Sequence, residues 1–352
     1  MEAVQGARPR RDGRARRAPG RVRRPKRAGP GCLAPGGVDL YGDGPVTTEP
    51  RVAVVVRTKD RPRFLARALS SITAQTLEDW ECVIVNDGGG TAPVDEAIAR
   101  VPERFRDRVR VLHRQRSHGR WVSANAGVLA STADLLVLHD DDDTWHPEFL
   151  ERAVAYLDAP ENADRAGVVS RIELVREEPD GDGFRVLERQ LWEAQLPMPT
   201  LADELLYNRF VPIGFLYRRS AHERHGLYDE ALPVIGDWDF YLKLLREAPL
   251  EYLDDTTPYA YWHQRPGQGG AHGNSVIAAG RDHRLHDARI RDEALRAYVR
   301  DNGDGLVLFL SKMIDDRIRE SEERIIREVE RYSLPERTVR TLKRLARRAR
   351  GA

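Results

Sequence analysis

At residues 135–147 the chain reads Leu-Leu-Val-Leu-His-Asp-Asp-Asp-Asp-Thr-Trp-His-Pro. The apolar half predicts a buried strand, and four consecutive aspartates follow where that strand ends. Carboxylates packed side by side repel one another unless a divalent cation or several hydrogen-bond donors balance them. Such hard oxygen ligands suit Mg²⁺ or Mn²⁺, whose shells are completed by substrate phosphates and water. The alternative is a solvated acidic turn that caps the helix beginning near Pro147.

Strand and helix patterns alternate before this stretch. The apolar runs at residues 52–56, 80–86, 109–113 and 134–139 predict strands, and helices are predicted from Pro62 onward and over residues 122–130. This alternation predicts an α/β fold with a mostly parallel central sheet flanked by helices. Thr58, Asp87 and the aspartates all follow strand ends, where such a fold has its ligand crevice.

The second half of the chain predicts shorter elements. Helices are expected from residue 147 to about 157 and over 237–245, and strands over 168–175, 184–191, 213–217, 251–253 and 259–262, with a hairpin turn at 180–183. Helices are again predicted from Gly280 onward.

Composition separates the two ends from the middle of the chain. The 352 residues are 41% hydrophobic and 32% charged, enough to bury a sizeable core, and the net charge is +1. Arginine and lysine crowd residues 1–30, where Glu2 and Asp12 are the acidic residues. Because this segment has few large apolar side chains, we predict a disordered basic arm at 1–48. The strand and helix patterns described above predict a catalytic domain at 49–278 and a helical C-terminal extension at 279–352.

The chain also offers little to suggest a secreted or membrane-spanning protein. No apolar run approaches the roughly 20 residues that cross a bilayer, and Cys32 and Cys82 provide no disulfide framework. We therefore expect a cytoplasmic protein. Arginines beside regularly spaced aliphatic residues in segment 314–350 allow peripheral contact with an anionic membrane face, and packing onto the catalytic body or a second subunit is the alternative.

Five short motifs follow one another in the chain. They are Arg-Thr-Lys-Asp-Arg-Pro at 57–62, Val-Ile-Val-Asn-Asp-Gly-Gly at 83–89, Ala-Asn-Ala-Gly at 124–127, Leu-His-Asp-Asp-Asp-Asp at 138–143 and Gly-Asp-Trp-Asp-Phe at 236–240. In this order they resemble the family-two inverting nucleotide-sugar glycosyltransferases of the GT-A fold. The resemblance covers residues 51–275 and implies a metal-dependent transfer from a UDP- or dTDP-linked sugar to a saccharide, lipid-linked or natural-product hydroxyl.

The resemblance implies a donor site at the strand ends. Thr58 and Arg61 are expected to contact the nucleotide base and phosphates, near a helix N-terminus that favours anions. Asp87 is expected to accept hydrogen bonds from uracil or ribose. Asn125 and Asp141 are further candidate donor contacts. For Thr58 a helix N-cap, for Asp87 a turn, and for Asn125 a bond to a neighbouring loop are the structural alternatives.

The resemblance also implies a metal site and a general base. Asp140 and Asp142 form the Asp-x-Asp pattern expected to hold Mn²⁺ or Mg²⁺, with Asp142 as the first choice and Asp140 as the second, although Asp141 stands where the family usually has a small or variable residue. Asp237 is the expected base, with Asp239 as the second choice, and the alternative for Asp237 is a helix cap. The family more often has glutamate where this chain has Gly236.

Two histidines and a glycine-rich segment complete the prediction. His263 and His272 lie where relatives often carry a histidine that touches the metal or the diphosphate, and a structural role is the alternative for each. The stretch between them is predicted to form a flap over the donor.

Two other functions are weighed against the transferase. A nucleotidyltransferase would normally have a glycine-rich phosphate loop after the first strand, and residues 57–62 contain no glycine. A binder of nucleic acid or another anionic polymer could use the basic arm, but the arm lacks interleaved aromatic residues. We therefore expect a nucleotide-sugar donor and an acceptor hydroxyl as partners, and no nucleic acid.

Overall fold

The computed structural model describes residues 39–41, 49–181, 183–254, 256–267 and 280–332. The predicted basic arm lies outside these ranges, except that Asp39–Tyr41 form a short strand, β1. His272 and most of the glycine-rich segment after residue 265 also lie outside the described residues.

A seven-stranded sheet lies at the centre of the molecule. Its members are β1, β2 (Val52–Thr58), β3 (Trp80–Asn86), β4 (Val109–His113), β5 (Leu135–Asp140), β7 (Gly167–Val169) and β10 (Phe215–Arg218). Their order is β1-β4-β3-β2-β5-β10-β7. Within this order the four adjacent strands β4, β3, β2 and β5 pair in parallel. Strands β1, β10 and β7 are antiparallel to their neighbours. The predicted α/β class with a mostly parallel core is confirmed.

Strand β2 occupies the middle of this sheet, which explains its composition. It pairs with β3 on one side and β5 on the other, and residues 52–56 are 0% exposed. A strand covered on both faces has no solvent side, so its apolar residues run continuously instead of alternating with polar ones.

Helices cover both faces of the sheet. They are α1 (Pro62–Thr73), α2 (Thr91–Ala99), α3 (Glu103–Arg106), α4 (Arg120–Ala130) and α5 (Phe149–Asp158). Helix α1 buries Phe64, Leu65 and Leu69, each worth roughly 1.5–3 kcal/mol when fully buried. Helix α4 lies so close to β2 that a Cβ at Gly127 would stand 2.3 Å from Cγ1 of Val55.

A second, smaller sheet begins directly after the four aspartates, at Thr144. Its members are β6 (Thr144–Trp145), β8 (Arg171–Asp180), β9 (Gly183–Leu191) and β11 (Pro258–Gln264), in the order β6-β11-β8-β9. The predicted hairpin is confirmed as the β8–β9 pair. Strands β8 and β11 pair in parallel although they lie far apart in sequence.

The single strand predicted at residues 168–175 is wrong in one respect, because it is divided between the two sheets. The chain leaves the central sheet after Val169 and enters the second sheet at Arg171. Ser170 lies between them, donating its amide to Gly214 O at 2.7 Å and accepting the amide of Tyr259 on its hydroxyl at 3.0 Å. The strand predicted at 251–253 amounts to one bridge, between Val169 and Tyr252.

The remaining helices follow the sheets. They are α6 (Leu201–Glu204), α7 (Ser220–His225), α8 (Gly236–Leu245), α9 (Gly280–Asn302) and α10 (Gly305–Tyr332). Among the residues described, no helix has the length and apolar content needed to cross a bilayer.

Candidate active site

The parallel register of the central sheet brings the predicted site residues together. Thr58 lies opposite Asn86, the residue before Asp87, and Arg57 lies opposite Asp140. A cavity of about 390 Å³ opens at this sheet edge. Six of the predicted residues line it, namely Thr58, Arg61, Asp87, Asp140, Asp141 and Asp142. We call this the donor cavity, after the donor contacts that the sequence predicts for several of these residues.

The aspartates turn inward, and arginines supply much of the balancing charge. Asp140 accepts a hydrogen bond from Arg57. Asp141 accepts the Thr58 hydroxyl at 2.7 Å and Arg61 Nη1 at 2.9 Å. Asp142 accepts Arg61 Nη2 at 2.9 Å and also pairs with Arg265. The solvated-turn alternative therefore does not describe this cluster.

The pKa shifts within the cluster follow from burial and from these partners. Burial raises the pKa of Asp141 to about 7, because the Asp142 charge adds to desolvation and outweighs Arg61 and Thr58. Burial alone would raise the pKa of Asp140, but the charges of Arg57 and Arg120 lower it. The side chain of Asp140 is also 38% exposed, the largest opening toward the cavity among these paired carboxylates.

Asp87 anchors the loop between β4 and α4. Its carboxylate accepts the Ser117 hydroxyl at 2.6 Å, the His118 amide at 2.9 Å and the Gly119 amide at 3.0 Å. Burial acts against ionisation, yet these bonds lower the pKa of Asp87. A carboxylate offers about four lone-pair sites, so the three bonds leave capacity for a ligand donor.

Asn125 is occupied by contacts within the protein. Its amide nitrogen donates to Tyr228 O and to Glu230 Oε1, both at 2.9 Å, and its oxygen accepts the Tyr228 amide at 3.0 Å. These are the contacts of the structural alternative, a bond to a neighbouring loop. The residue is 3% exposed, and both of its amide hydrogens are used.

His263 lies behind the aspartates on β11. Its Nδ1 donates to Glu177 at 2.8 Å, and its Nε2 accepts the Thr144 hydroxyl at 2.8 Å, while its backbone amide donates to Asp143 at 2.9 Å. Burial lowers the pKa of His263 despite the Glu177 charge. Within the described ranges, no group of three or more His, Cys, Asp or Glu side chains has the arrangement of a metal site.

Glu177 is a functional candidate that the sequence reasoning missed. It accepts Arg67 Nη1 on both oxygens at 2.9 Å and Arg265 Nη1 at 2.7 Å, in addition to His263. Burial opposes its ionisation, but these donors lower its pKa to about 2. No local motif marks Glu177, because its partners come from α1 and from the distant strand β11.

A second cavity of about 390 Å³ contains Asp237. Tryptophans 121, 192, 238 and 262 contribute to its walls, together with Tyr207 and Asn208. Asn208 donates its amide to Asp237 Oδ2 at 3.1 Å, and burial raises the pKa of Asp237. Asp239, the second choice for the base, instead pairs with Lys243 at 2.7 Å. We call this the aromatic cavity.

The donor and aromatic cavities adjoin each other. Arg57, Arg120 and Asp140 line both of them. Asp87 lines one of these adjoining cavities and Asp237 lines the other.

Comparison with known proteins was made by sequence and by structure. A sequence model described as Glycosyl transferase family 2 matches residues 53–226. The uncharacterized glycosyltransferase YwdF of Bacillus subtilis is 31% identical over 199 residues, which cover 56% of this chain and 69% of that protein. An uncharacterized glycosyltransferase of Nostoc is 28% identical over 155 residues, which cover 44% of each chain.

The chain is also similar to two further proteins, one by sequence and one by structure. A PGL/p-HBAD biosynthesis glycosyltransferase of Mycobacterium bovis is 28% identical over 205 residues, covering 57% of this chain and 72% of that protein. Among solved structures, S. aureus TarS 1–349 in complex with UDP-GlcNAc is 20% identical with a TM-score of 0.49, covering 73% of this chain and 75% of that one.

Proposed function

The chain belongs to glycosyltransferase family 2, and from this premise we propose that it is a metal-dependent, inverting enzyme. It moves a sugar from a UDP- or dTDP-linked donor to a hydroxyl of a saccharide, lipid-linked or natural-product acceptor. The observation that supports this most directly is the junction of the donor cavity with the cavity that holds Asp237.

The donor nucleotide occupies the cavity at the strand ends. Asp87 accepts hydrogen bonds from the base or ribose with the capacity its loop contacts leave. Arg61 and the N-terminus of α1 favour the negative diphosphate. Thr58 acts through Asp141, whose position it fixes by the 2.7 Å hydrogen bond.

Asp140 and Asp142 are the residues that would hold a divalent cation. Both line the donor cavity, and carboxylate oxygens beside a diphosphate suit Mn²⁺ or Mg²⁺. The partly exposed carboxylate of Asp140 fits this role best, whereas both ring nitrogens of His263 already have protein partners. When bound, the ion would neutralise the leaving diphosphate.

Asp237 is the general base. It takes the proton from the acceptor hydroxyl as that oxygen bonds to the anomeric carbon and the bond from this carbon to the diphosphate breaks. Because burial raises its pKa, the carboxylate is a stronger base than an exposed aspartate. The surrounding tryptophans offer flat apolar faces on which an acceptor ring can stack.

Replacing Asp237 by asparagine tests this assignment. We expect Asp237→Asn to bind the nucleotide as tightly as the wild type and to lose transfer by about 100-fold or more, the contribution of a general base. Radiolabelled nucleotide sugars in a donor panel measure transfer, and calorimetry measures binding. Since burial disfavours the ionised carboxylate in the folded state, the variant should unfold at the same temperature as the wild type or higher at neutral pH.

Asp239→Asn is the matched control, because its carboxylate pairs with Lys243 on the same helix. It should retain transfer. Full activity in Asp237→Asn would show that the base is misassigned. Failure of the wild type to transfer sugar from any donor of the panel would overturn the proposed function itself.

A further inference from the structure

Two arginines stand at the junction of the donor and aromatic cavities. Arg57 is the penultimate residue of β2, and Arg120 is the first residue of α4, after Gly119 in a left-handed conformation with φ of 100°. Together with Asp140 they line both cavities. In a transfer that inverts the anomeric carbon, this junction lies between the nucleotide and the base.

The hydrogen bonds of these two guanidinium groups are incomplete within the described part of the chain. Arg57 donates from Nη2 to Asp140, but its buried Nε and Nη1 have no hydrogen-bond partner. Its side chain is 10% exposed and lies over Trp121, with Cζ 5.0 Å from the ring centre. The Arg120 side chain makes no hydrogen bond or ion pair with any described residue.

The unmatched Nε and Nη1 of Arg57 are costly for the protein alone. A buried N–H group without an acceptor loses its bonds to water and gains nothing in return. The two guanidinium groups also repel each other, and Asp140 is the carboxylate that both cavities share. A ligand with several negatively charged oxygens would satisfy the donors and balance the surplus positive charge.

We propose that Arg57 and Arg120 bind the diphosphate of the donor at its bond to the sugar and stabilise the negative charge that forms there. The proposal rests on the proposed function. During transfer the acceptor oxygen bonds to the anomeric carbon, and the electron pair of the broken bond passes to the diphosphate oxygen. The acceptor proton goes to Asp237, so charge accumulates beside the two guanidinium groups while they remain in place.

Arg120 is the better residue for an experiment, because its removal breaks no described contact. The probes are UDP, dTDP and GDP with their monophosphates and nucleosides, titrated calorimetrically in Mn²⁺ buffer. For the nucleotide that binds best, Arg120→Gln should weaken the affinity for the diphosphate by about tenfold or more, as expected for lost charge-assisted hydrogen bonds. The affinity for the nucleoside should be unchanged. Arg120→Lys, which keeps the charge but not the fork of donors, should recover part of the loss.

Two further measurements separate this role from a structural one. Arg120→Gln should unfold at the wild-type temperature or higher, because repulsion with Arg57 is relieved, and its kcat should fall. Arg100→Gln, at an exposed site at the end of α2, is the matched control and should bind and react as the wild type does. Equal diphosphate affinity in Arg120→Gln and the wild type would overturn this inference alone, whereas a wild type that binds no nucleoside diphosphate would overturn the proposed function with it.

Discussion

Ile235 has a backbone conformation that is rare for a β-branched residue. Its φ of 55° and ψ of 18° are left-handed, and it directly precedes Gly236 and Asp237 at the start of α8. Such a conformation costs of order 1–3 kcal/mol and persists where the surrounding structure enforces it. This strained turn leads directly into Asp237, which lines the aromatic cavity, so the backbone here contributes to the position of the proposed base.

Gly236 has no room for a side chain. A Cβ at Gly236 would lie 2.7 Å from Cε2 of Trp121, a ring that is itself buried against Tyr228. We expect Gly236→Ala to lower the free energy of unfolding by about 1–3 kcal/mol, the usual cost of overpacking, and to reduce kcat by displacing Asp237. Denaturant unfolding and steady-state transfer measure the two effects.

Gly90→Ala is the control for this substitution. Its Cβ would meet Pro93 at 3.5 Å, an ordinary contact, and the backbone there has a φ of −56° that alanine tolerates. An equal loss of stability in both variants would show that the Trp121 contact is not the cause.

At the scale of elements, the β8–β9 hairpin supports the acidic residues from behind. Glu177 on β8 receives Arg67 from α1 and both His263 and Arg265 from the β11 segment, and Arg265 continues to Asp142. The parallel pairing of β8 with β11 therefore brings Glu177 beside Arg265, which pairs with Asp142 in the lining of the donor cavity.

Removing the negative charge of Glu177 should strongly destabilise the folded protein. We expect Glu177→Gln to lower the free energy of unfolding by about 3–5 kcal/mol, because it leaves buried arginines without their counter-charge. Since the folded pKa of Glu177 is lowered to about 2, its stabilisation is full above the pKa of the unfolded chain and is lost as pH falls toward 2. The difference between wild type and variant should thus shrink in acid when unfolding is measured across pH.

Glu188→Gln supplies the comparison. Glu188 lies on the partner strand β9 in an exposed pair with Arg176, so the effect should stay below about 1 kcal/mol. A Glu177→Gln variant as stable as this control would contradict the supporting role of the network.

Features of this fold that have a local sequence signal could be predicted, and features that depend on contacts between distant segments could not. Strands β3 and β4 have the predicted bounds, because continuous apolar runs ending in polar residues are a local signal. The meeting of Thr58, Asp87 and the aspartates in one cavity could also be predicted, since parallel strands bring their ends to one edge of the sheet. Glu177 could not be predicted, because its role depends on a pairing between distant strands. Arg57 lay within a quoted motif, yet its unmatched donors are visible only after folding.

Helix α9, in the C-terminal part of the chain, contributes residues to the lining of the aromatic cavity. His283, Arg284 and Asp287 contribute to its lining, whereas the residues that line the donor cavity come from the first 240 positions of the chain. Four basic side chains of α10 pair within their own helix, namely Lys312, Arg317, Arg319 and Arg327. Such pairing reduces the positive surface that the predicted contact with an anionic membrane would need.

Arg291 is one of the residues through which α9 contacts the catalytic body, where Ile290 also packs against the core. Arg291 donates to the carbonyl oxygens of Leu205 and Leu206, the latter at 2.7 Å, and its Cζ lies 5.1 Å from the ring centre of Trp238. We expect Arg291→Ala to raise the acceptor KM by about tenfold, as expected for lost charged hydrogen bonds, while donor affinity stays unchanged. Amide hydrogen exchange over residues 280–302 should become faster, a readout that needs no acceptor.

Arg289→Ala tests whether the effects of Arg291→Ala come from the loss of its particular contacts or from the loss of one positive charge on α9. Arg289 is two residues away on the same helix, 65% exposed and paired with Glu293, so its removal should alter neither exchange nor acceptor KM. If Arg291→Ala instead weakened donor binding and acceptor binding equally, α9 would be supporting the whole catalytic body. A selective effect on the acceptor would mean that acceptor choice depends on an element outside residues 53–226, the segment that matches the family.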